Sequence, residues 1–131
     1  MGALAQVEAF LADNPHYRDI VESCQPDSEV LAGVKDQIVG LNVKVFFGDW
    51  CPDCRARMPT FLAAVLELGV DDFELEFVEM SRQMKDGLDK AAEHSVMAIP
   101  TFIFFRGELE IGRIIERPKE SMEKDIASIL A

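Results

Sequence analysis

The sequence predicts an α/β fold, a central mixed β-sheet flanked by helices, with a mostly helical N-terminal part. Three observations lead there. Apolar residues recur at three- and four-residue steps through the first 40 positions, four short β-prone runs follow, and a stretch of strong helix formers at 52–68 separates the first two runs. A helix of that length is the crossover a parallel strand pair needs, and the short turn between the last two runs specifies an antiparallel hairpin.

The elements follow in order. Leu4, Val7, Phe10 and Leu11 form one apolar stripe, which Asp13-Asn14-Pro15 interrupts. Pro15 can open a second helix through His16, Tyr17, Ile20 and Val21 that fades near Gln25-Pro26. Asp27 or Ser28 can cap a third, with Val30, Leu31, Val34 and Ile38 on one face and Gly40 at its end. Asn42–Phe47 reads as a strand ending at Gly48-Asp49, and Pro52–Leu68 as the long helix. A second strand is expected over Phe73–Met80, where Phe73, Leu75 and Phe77 alternate with Glu74 and Glu76 until Val78 breaks the pattern. Residues 87–95 form a short helix candidate. Thr101–Phe105 reads as a buried strand, Arg106-Gly107-Glu108 as a tight turn, and Leu109–Ile115 as the hairpin partner. A last helix is expected from about Lys119 to Leu130, with Met122, Ile126, Ile129 and Leu130 toward the sheet. At 131 residues the chain is sized for one domain: a helical part over 1–40 and a core over 41–131.

Composition narrows the partners. Hydrophobic residues make up 49% of the chain, a globular value, and 24 acidic against 13 basic side chains give a net charge of −11. That balance disfavours nucleic acid and anionic membranes. The acidic excess lies in the first two thirds, read first as a solvated face and otherwise as a surface for a basic or neutral partner. The first 19 residues show neither a basic leader nor a long apolar run before Glu8, and position 6 is Gln where a myristoylation signal has Ser or Thr. The expectation is a soluble, cytoplasmic protein. Three cysteines, Cys24, Cys51 and Cys54, are an odd number with one tight pair, which resembles an intracellular redox pair plus a spare more than a secreted disulfide scaffold.

The segment Phe47-Gly48-Asp49-Trp50-Cys51-Pro52-Asp53-Cys54-Arg55 lies where a strand hands over to a helix. With Cys51 as N-cap and Pro52 as first helical residue, the backbone donors of Asp53 and Cys54 point at the Cys51 sulfur. Those donors and the helix dipole favour a thiolate there, below the free thiol value of about 8.5. Cys54, one turn on, can attack the Cys51 sulfur while being less exposed. Asp53 favours the helix start but opposes a nearby thiolate, so it weakens the effect. An inert core pair and half a zinc site are the alternatives. Zinc would need two more ligands, and Cys24, His16 and His94 are distant in sequence. No metal and no cofactor are implied.

These residues together with Ile99-Pro100-Thr101 closely resemble the thioredoxin family over residues 41–131, and the cysteine segment is like that of thioredoxin-related proteins with WCPDC in place of WCGPC. The first 40 residues do not match the family's usual first strand and helix. The resemblance implies a thioredoxin-like fold, with Cys51 as nucleophile, Cys54 as resolving cysteine and Pro100 as the cis-proline of the facing loop. In that loop the carbonyl and N–H of Ile99 can pair with an extended substrate. Trp50 is similar to the family's tryptophan, shielding the site and offering flat apolar contact, and Pro59 to the proline that bends the active-site helix.

Two places depart from the family. Val45 stands where a buried aspartate is usual, and Glu79 where a lysine is common. Glu79 could carry the proton for Cys54 if buried under the disulfide, or be a solvated edge glutamate, or leave that task to water. Gly112 resembles a glycine that leaves room for a partner backbone; a β-bulge or close packing explains it equally. Cys24 reads as a small core residue, with a regulatory thiol as the sharper alternative.

The resemblance implies an enzyme, a thiol–disulfide oxidoreductase that reduces protein or small-molecule disulfides and is restored by a recycling reductase or another thiol reductant. Disulfide isomerisation or oxidation is a close alternative, because potential sets direction. A peroxidase is disfavoured by Asp49 and Asp53. A binding module that recognises partners through Trp50, Ile99 and Gly112 without turnover is the alternative of another class.

Overall fold

The computed structural model describes residues 2–48, 50–81 and 88–131. Four strands form one mixed sheet in the order β2-β1-β3-β4, built from β1 (Asn42–Phe47), β2 (Glu74–Glu79), β3 (Thr101–Arg106) and β4 (Leu109–Ile115). β1 runs parallel to β2 and antiparallel to β3, and β3 and β4 make a hairpin whose turn places Gly107 at φ +65°. Both central strands are covered on both faces, which is why Val43, Val45, Phe46 and Phe102–Phe105 are all apolar and buried.

Before the sheet come α1 (Ala3–Asp13), a 3₁₀ turn, α2 (Arg18–Ser23) and α3 (Ser28–Ala32). Ala3, Val7, Phe10 and Leu11 are the buried stripe of α1. Phe10 stacks on Phe77 with centroids 4.5 Å apart and meets Phe47 edge-on at 5.2 Å, so α1 is clamped against the β1–β2 side of the sheet. A buried Phe contributes about 1.5–3 kcal/mol, and aromatic pairing adds roughly 0.5–1.5 kcal/mol. Asp71 completes the start of α1, its carbonyl accepting from Ala3 and its carboxylate from Leu4.

Two expectations in this part are corrected. In the second helix Tyr17 and Val21 are buried, but His16 and Ile20 face solvent, because the 3₁₀ turn at Pro15–Tyr17 changes the helical phase. The third helix is not continuous. Asp27 caps α3, which ends at Gly33, and a 3₁₀ turn over Lys35–Ile38 restores Ile38 to the core.

α4 (Pro52–Leu68) begins and ends where the sequence places it, closed by Gly69 at φ +65°. α5 (Leu88–Glu93) is shorter than its expectation, whose first residue, Gly87, lies outside the described residues; Ser95 at φ +56° ends it. β2 is shorter than expected by one residue at each end, and Val78 breaks the alternation because β2 buries residues on both faces. α6 (Met122–Leu130) starts later than Lys119, since Ser121 caps it through the Lys124 N–H while the Asp125 carboxylate takes the N–H groups of Lys119 and Glu120.

Gly112 pairs with Phe104 beside a register shift in the β3–β4 ladder. A Cβ there would meet Cγ1 and Cγ2 of Ile129 at 2.8 and 2.9 Å, so the space is filled by α6 of the same chain. The expected role of leaving room for a partner backbone is therefore corrected to close packing. Gly112→Ala should destabilise the protein by about 1–3 kcal/mol in denaturant unfolding. In an Ile129→Ala background the added cost should fall below about 0.5 kcal/mol, as a direct contact requires.

Candidate active site

β1 is apolar to its end and is followed by Gly48, after which the chain turns back through a hydrogen bond from the Cys51 N–H to the Gly48 carbonyl (3.1 Å). Cys51 is the N-cap of α4, with φ −90° and ψ 121°, and Pro52 follows where a missing N–H costs the helix nothing. Arg55 N–H reaches the Cys51 carbonyl at 3.1 Å, the first turn of the helix. Cys51 is therefore half-exposed at a helix start, and Cys54, one turn inside, is 0% exposed. Both are free thiols.

The buried sulfur has a defined setting. Gly48 N–H donates to Cys54 Sγ at 3.3 Å. Burial pushes the Cys54 thiol up to about 12; the Gly48 bond acts the other way, and the Cys51 charge, a hydrogen bond with the Cys51 sulfur and the Asp53 charge add to the rise. Cys54 is thus a thiol at neutral pH. Asp53 acts on the buried sulfur through its charge, from the first turn of α4.

The loop before β3 faces the pair. The Ile99–Pro100 bond is cis, both residues are buried, and the Ile99 carbonyl lies 3.9 Å from Cys51 Sγ. Thr101 Oγ1 donates to the Ala98 carbonyl at 2.6 Å, and Glu116 N–H donates to the Pro100 carbonyl at 2.7 Å. Met97 of this loop is 93% exposed, and Ile115, paired with Thr101 in the sheet, is 52% exposed.

Trp50 bridges the site to the sheet edge. Its Nε1 donates to the Met80 carbonyl at 3.0 Å, and its ring lies over Gly48, where a Cβ would meet Nε1 at 2.7 Å and Ile99 Cδ1 at 3.0 Å. Sequence reasoning did not single out Gly48 or Met80. The glycine just before the motif was the available signal for the first; a backbone carbonyl leaves none for the second. Glu116 was also missed. It holds φ +61°, a conformation usually given to glycine, so nothing in its residue type marks it.

The remaining sequence candidates fall as follows. Pro59 is buried inside α4, where its ring removes one helical N–H. Val45 is fully buried. Glu79 is exposed on the edge strand, opposite Phe47 in register, so the burial required for a proton carrier beneath Cys54 is absent and that role is corrected. Cys24 is half-buried at the end of α2, its thiol donating to the Ile20 carbonyl at 3.3 Å, with burial and the Glu123 charge raising its pKa. Asp49 lies outside the described residues. Among the described residues no group of three or more His, Cys, Asp or Glu side chains is placed to hold a metal, and no helix is long and apolar enough to cross a membrane.

Comparison with known proteins adds to this geometry. Thioredoxin from Oryctolagus cuniculus is 30% identical over 110 residues, covering 84% of this chain and 96% of its own. An H-type thioredoxin of Brassica campestris is 32% identical over 79 residues, 60% of this chain and 58% of that protein, so the match spans less than two thirds of such relatives. Among solved structures, a Pseudomonas aeruginosa protein of unknown function superposes with a TM-score of 0.61 at 20% identity, over 98% of this chain and 84% of that one. Thioredoxin f2 of Chlamydomonas reinhardtii gives 0.51 at 21% identity over 79% and 89%. Both share the fold, a mixed sheet flanked by helices; here helices precede the first strand. The thioredoxin family model matches residues 5–127, and the chain belongs to the thioredoxin family.

Proposed function

We propose that this chain is a thiol–disulfide oxidoreductase that reduces disulfides of proteins or small molecules in the cytoplasm through the Cys51/Cys54 dithiol. The observation that carries the reading is the asymmetry of the pair: an accessible thiol at a helix N-terminus, and a buried, protonated one a turn behind it. The segment Trp50-Cys51-Pro52-Asp53-Cys54 resembles that of thioredoxin-related proteins with WCPDC, which supports the reading.

In the first step the Cys51 thiolate attacks one sulfur of the substrate disulfide. A Cys51–substrate disulfide forms, and the other substrate sulfur leaves as thiolate and takes a proton from water. Cys54 then loses its proton and attacks Cys51 Sγ, so the Cys51–Cys54 disulfide forms and the second substrate thiolate departs. Two electrons have passed from the dithiol to the substrate. An external dithiol, from a recycling reductase or a small thiol, returns them. The Ile99 backbone beside Cys51 would pair with the substrate chain, and Met97, Ile115 and Trp50 would give it apolar contact.

Direction is tested by the reduction potential of the couple, read by thiol alkylation and mass in defined redox buffers. A value near about −270 mV supports reduction, whereas about −180 to −120 mV assigns isomerase or oxidase work instead.

Cys51→Ser should abolish reduction of a small aromatic disulfide, and Cys54→Ser should accumulate a mixed disulfide visible by mass; turnover by either variant at the wild-type rate would overturn the two-thiol order. In Cys51→Ser the Cys51 contributions are gone and burial remains, so alkylation of Cys54 should be very slow at pH 7 and rise about tenfold per pH unit from pH 8 to 9, because the reactive thiolate grows in that proportion below its pKa. A plateau below pH 9 would show that burial does not hold the proton. Gly48→Ala should displace the Trp50 ring, read as a shift in tryptophan emission, and cost about 1–3 kcal/mol in unfolding.

A further inference from the structure

β2 is a sheet edge. Among the described residues it pairs with β1 on one side and with no other strand. The bonds from Glu74 N–H to the Leu41 carbonyl (3.0 Å) and from Met80 N–H to the Phe47 carbonyl (2.7 Å) set its parity. Glu74, Glu76, Val78 and Met80 turn their backbone groups toward β1, so Leu75, Phe77 and Glu79 turn theirs outward. Among the described residues nothing hydrogen-bonds to these outward groups.

The edge is accessible from both faces of the sheet. On one, Gln6, Phe10 and Asp13 of α1 border a depression of about 450 Å³ that Phe77 and Glu79 also line. On the other, Leu88, Asp89 and Lys90 of α5 border one of about 470 Å³ against Glu76–Glu79. An extended chain laid between them would meet half-buried Phe77 and exposed Leu88 as apolar ground. The charges there are one-sided. Glu76 is engaged by Lys90 and Lys44, but among the described residues Asp13, Glu74, Glu79 and Asp89 have no ion-pair partner.

We propose that the outer edge of β2 is a docking strand for a basic, extended segment of a client polypeptide, which pairs with Leu75, Phe77 and Glu79 while its lysines and arginines meet Asp13, Glu74, Glu79 and Asp89. Added strands of this kind take affinity from the main chain and specificity from alternate side chains. A second copy is the wrong occupant, since edge-to-edge pairing would oppose the same carboxylates to one another. The strand leads directly to Met80, whose carbonyl holds Trp50, so the docked segment runs toward the thiols. The client is a substrate only on the oxidoreductase reading above, and the docking itself does not depend on turnover.

The test uses the Cys51→Ser/Cys54→Ser protein and two cysteine-free probes. One is the acetylated, amidated peptide Lys-Val-Arg-Val-Lys-Val-Lys; the other carries Glu at every cationic position. Amide hydrogen exchange of Leu75, Phe77 and Glu79 is followed by NMR at low salt. With the basic peptide at ten times its Kd, exchange at these three positions should slow roughly tenfold, since about a tenth of the protein remains free. The effect should shrink at high salt, and Asp13→Lys/Glu74→Lys should abolish it. Unchanged exchange with the basic peptide, or equal slowing by the acidic one, overturns the proposal. Slowing that grows with protein concentration alone, with a doubled mass, overturns it in favour of self-pairing. Reduction of a small aromatic disulfide by the wild-type protein is measured separately, so loss of the oxidoreductase reading leaves the docking result intact, and the converse holds.

Discussion

A sulfur buried beneath the end of a central strand is the constraint on which the rest of this structure depends. Cys54 has no contact with solvent, and one backbone N–H, that of Gly48, turns toward it. That single bond requires β1 to stop and reverse at Gly48, with Cys51 at the helix cap. The same reversal requires a residue without a side chain, because the Trp50 ring lies over it. Trp50 in turn needs a polar partner for its indole N–H and takes the Met80 carbonyl at the end of β2. Strand end, helix cap, ring and edge strand are thus linked through contacts a few ångströms long.

The N-terminal helices solve a different problem. A sheet with apolar residues on both faces must be covered on both, and Phe10 supplies cover where β1 and β2 present Phe47 and Phe77. A helix covers a face but does not satisfy a strand's outward hydrogen-bonding groups. Covering β2 with α1 therefore removes water from the apolar surface while leaving the backbone edge available.

Much of this arrangement was legible in the sequence because local punctuation was strong. Pro52 and Gly69 bound α4, Gly107 marks the hairpin turn, and the apolar run at Phe102–Phe105 between turn signals reads as a buried strand. The cysteine pair and the Ile99-Pro100-Thr101 segment were legible as a site because their residue types restrict the chemistry. Long-range facts were not. Periodicity assigns Ile20 to an apolar face, but only tertiary packing decides that no element covers it. A glutamate in a strand reads the same whether its carboxyl is buried or solvated, and the choice at Glu79 depends on which neighbour lies beside β2. Gly112 and Ile129 are far apart along the chain, and nothing local says that one is small because the other is near.

Val45 has a consequence in time. The central strand puts a hydrocarbon surface in the core there; burial is the main cause that holds the proton on Cys54, and once Cys51 is tied in a disulfide the Asp53 charge, among the described residues, is what adds to it. In a protein that works as proposed, the covalent complex with a client would persist until solvent takes that proton. A long-lived covalent complex gives a thiol from solution, or a second thiol of the client, an interval in which to compete with Cys54. Whether one client or two thiols share the outcome of a single encounter then becomes a matter of rate, set by how firmly burial holds the proton on Cys54.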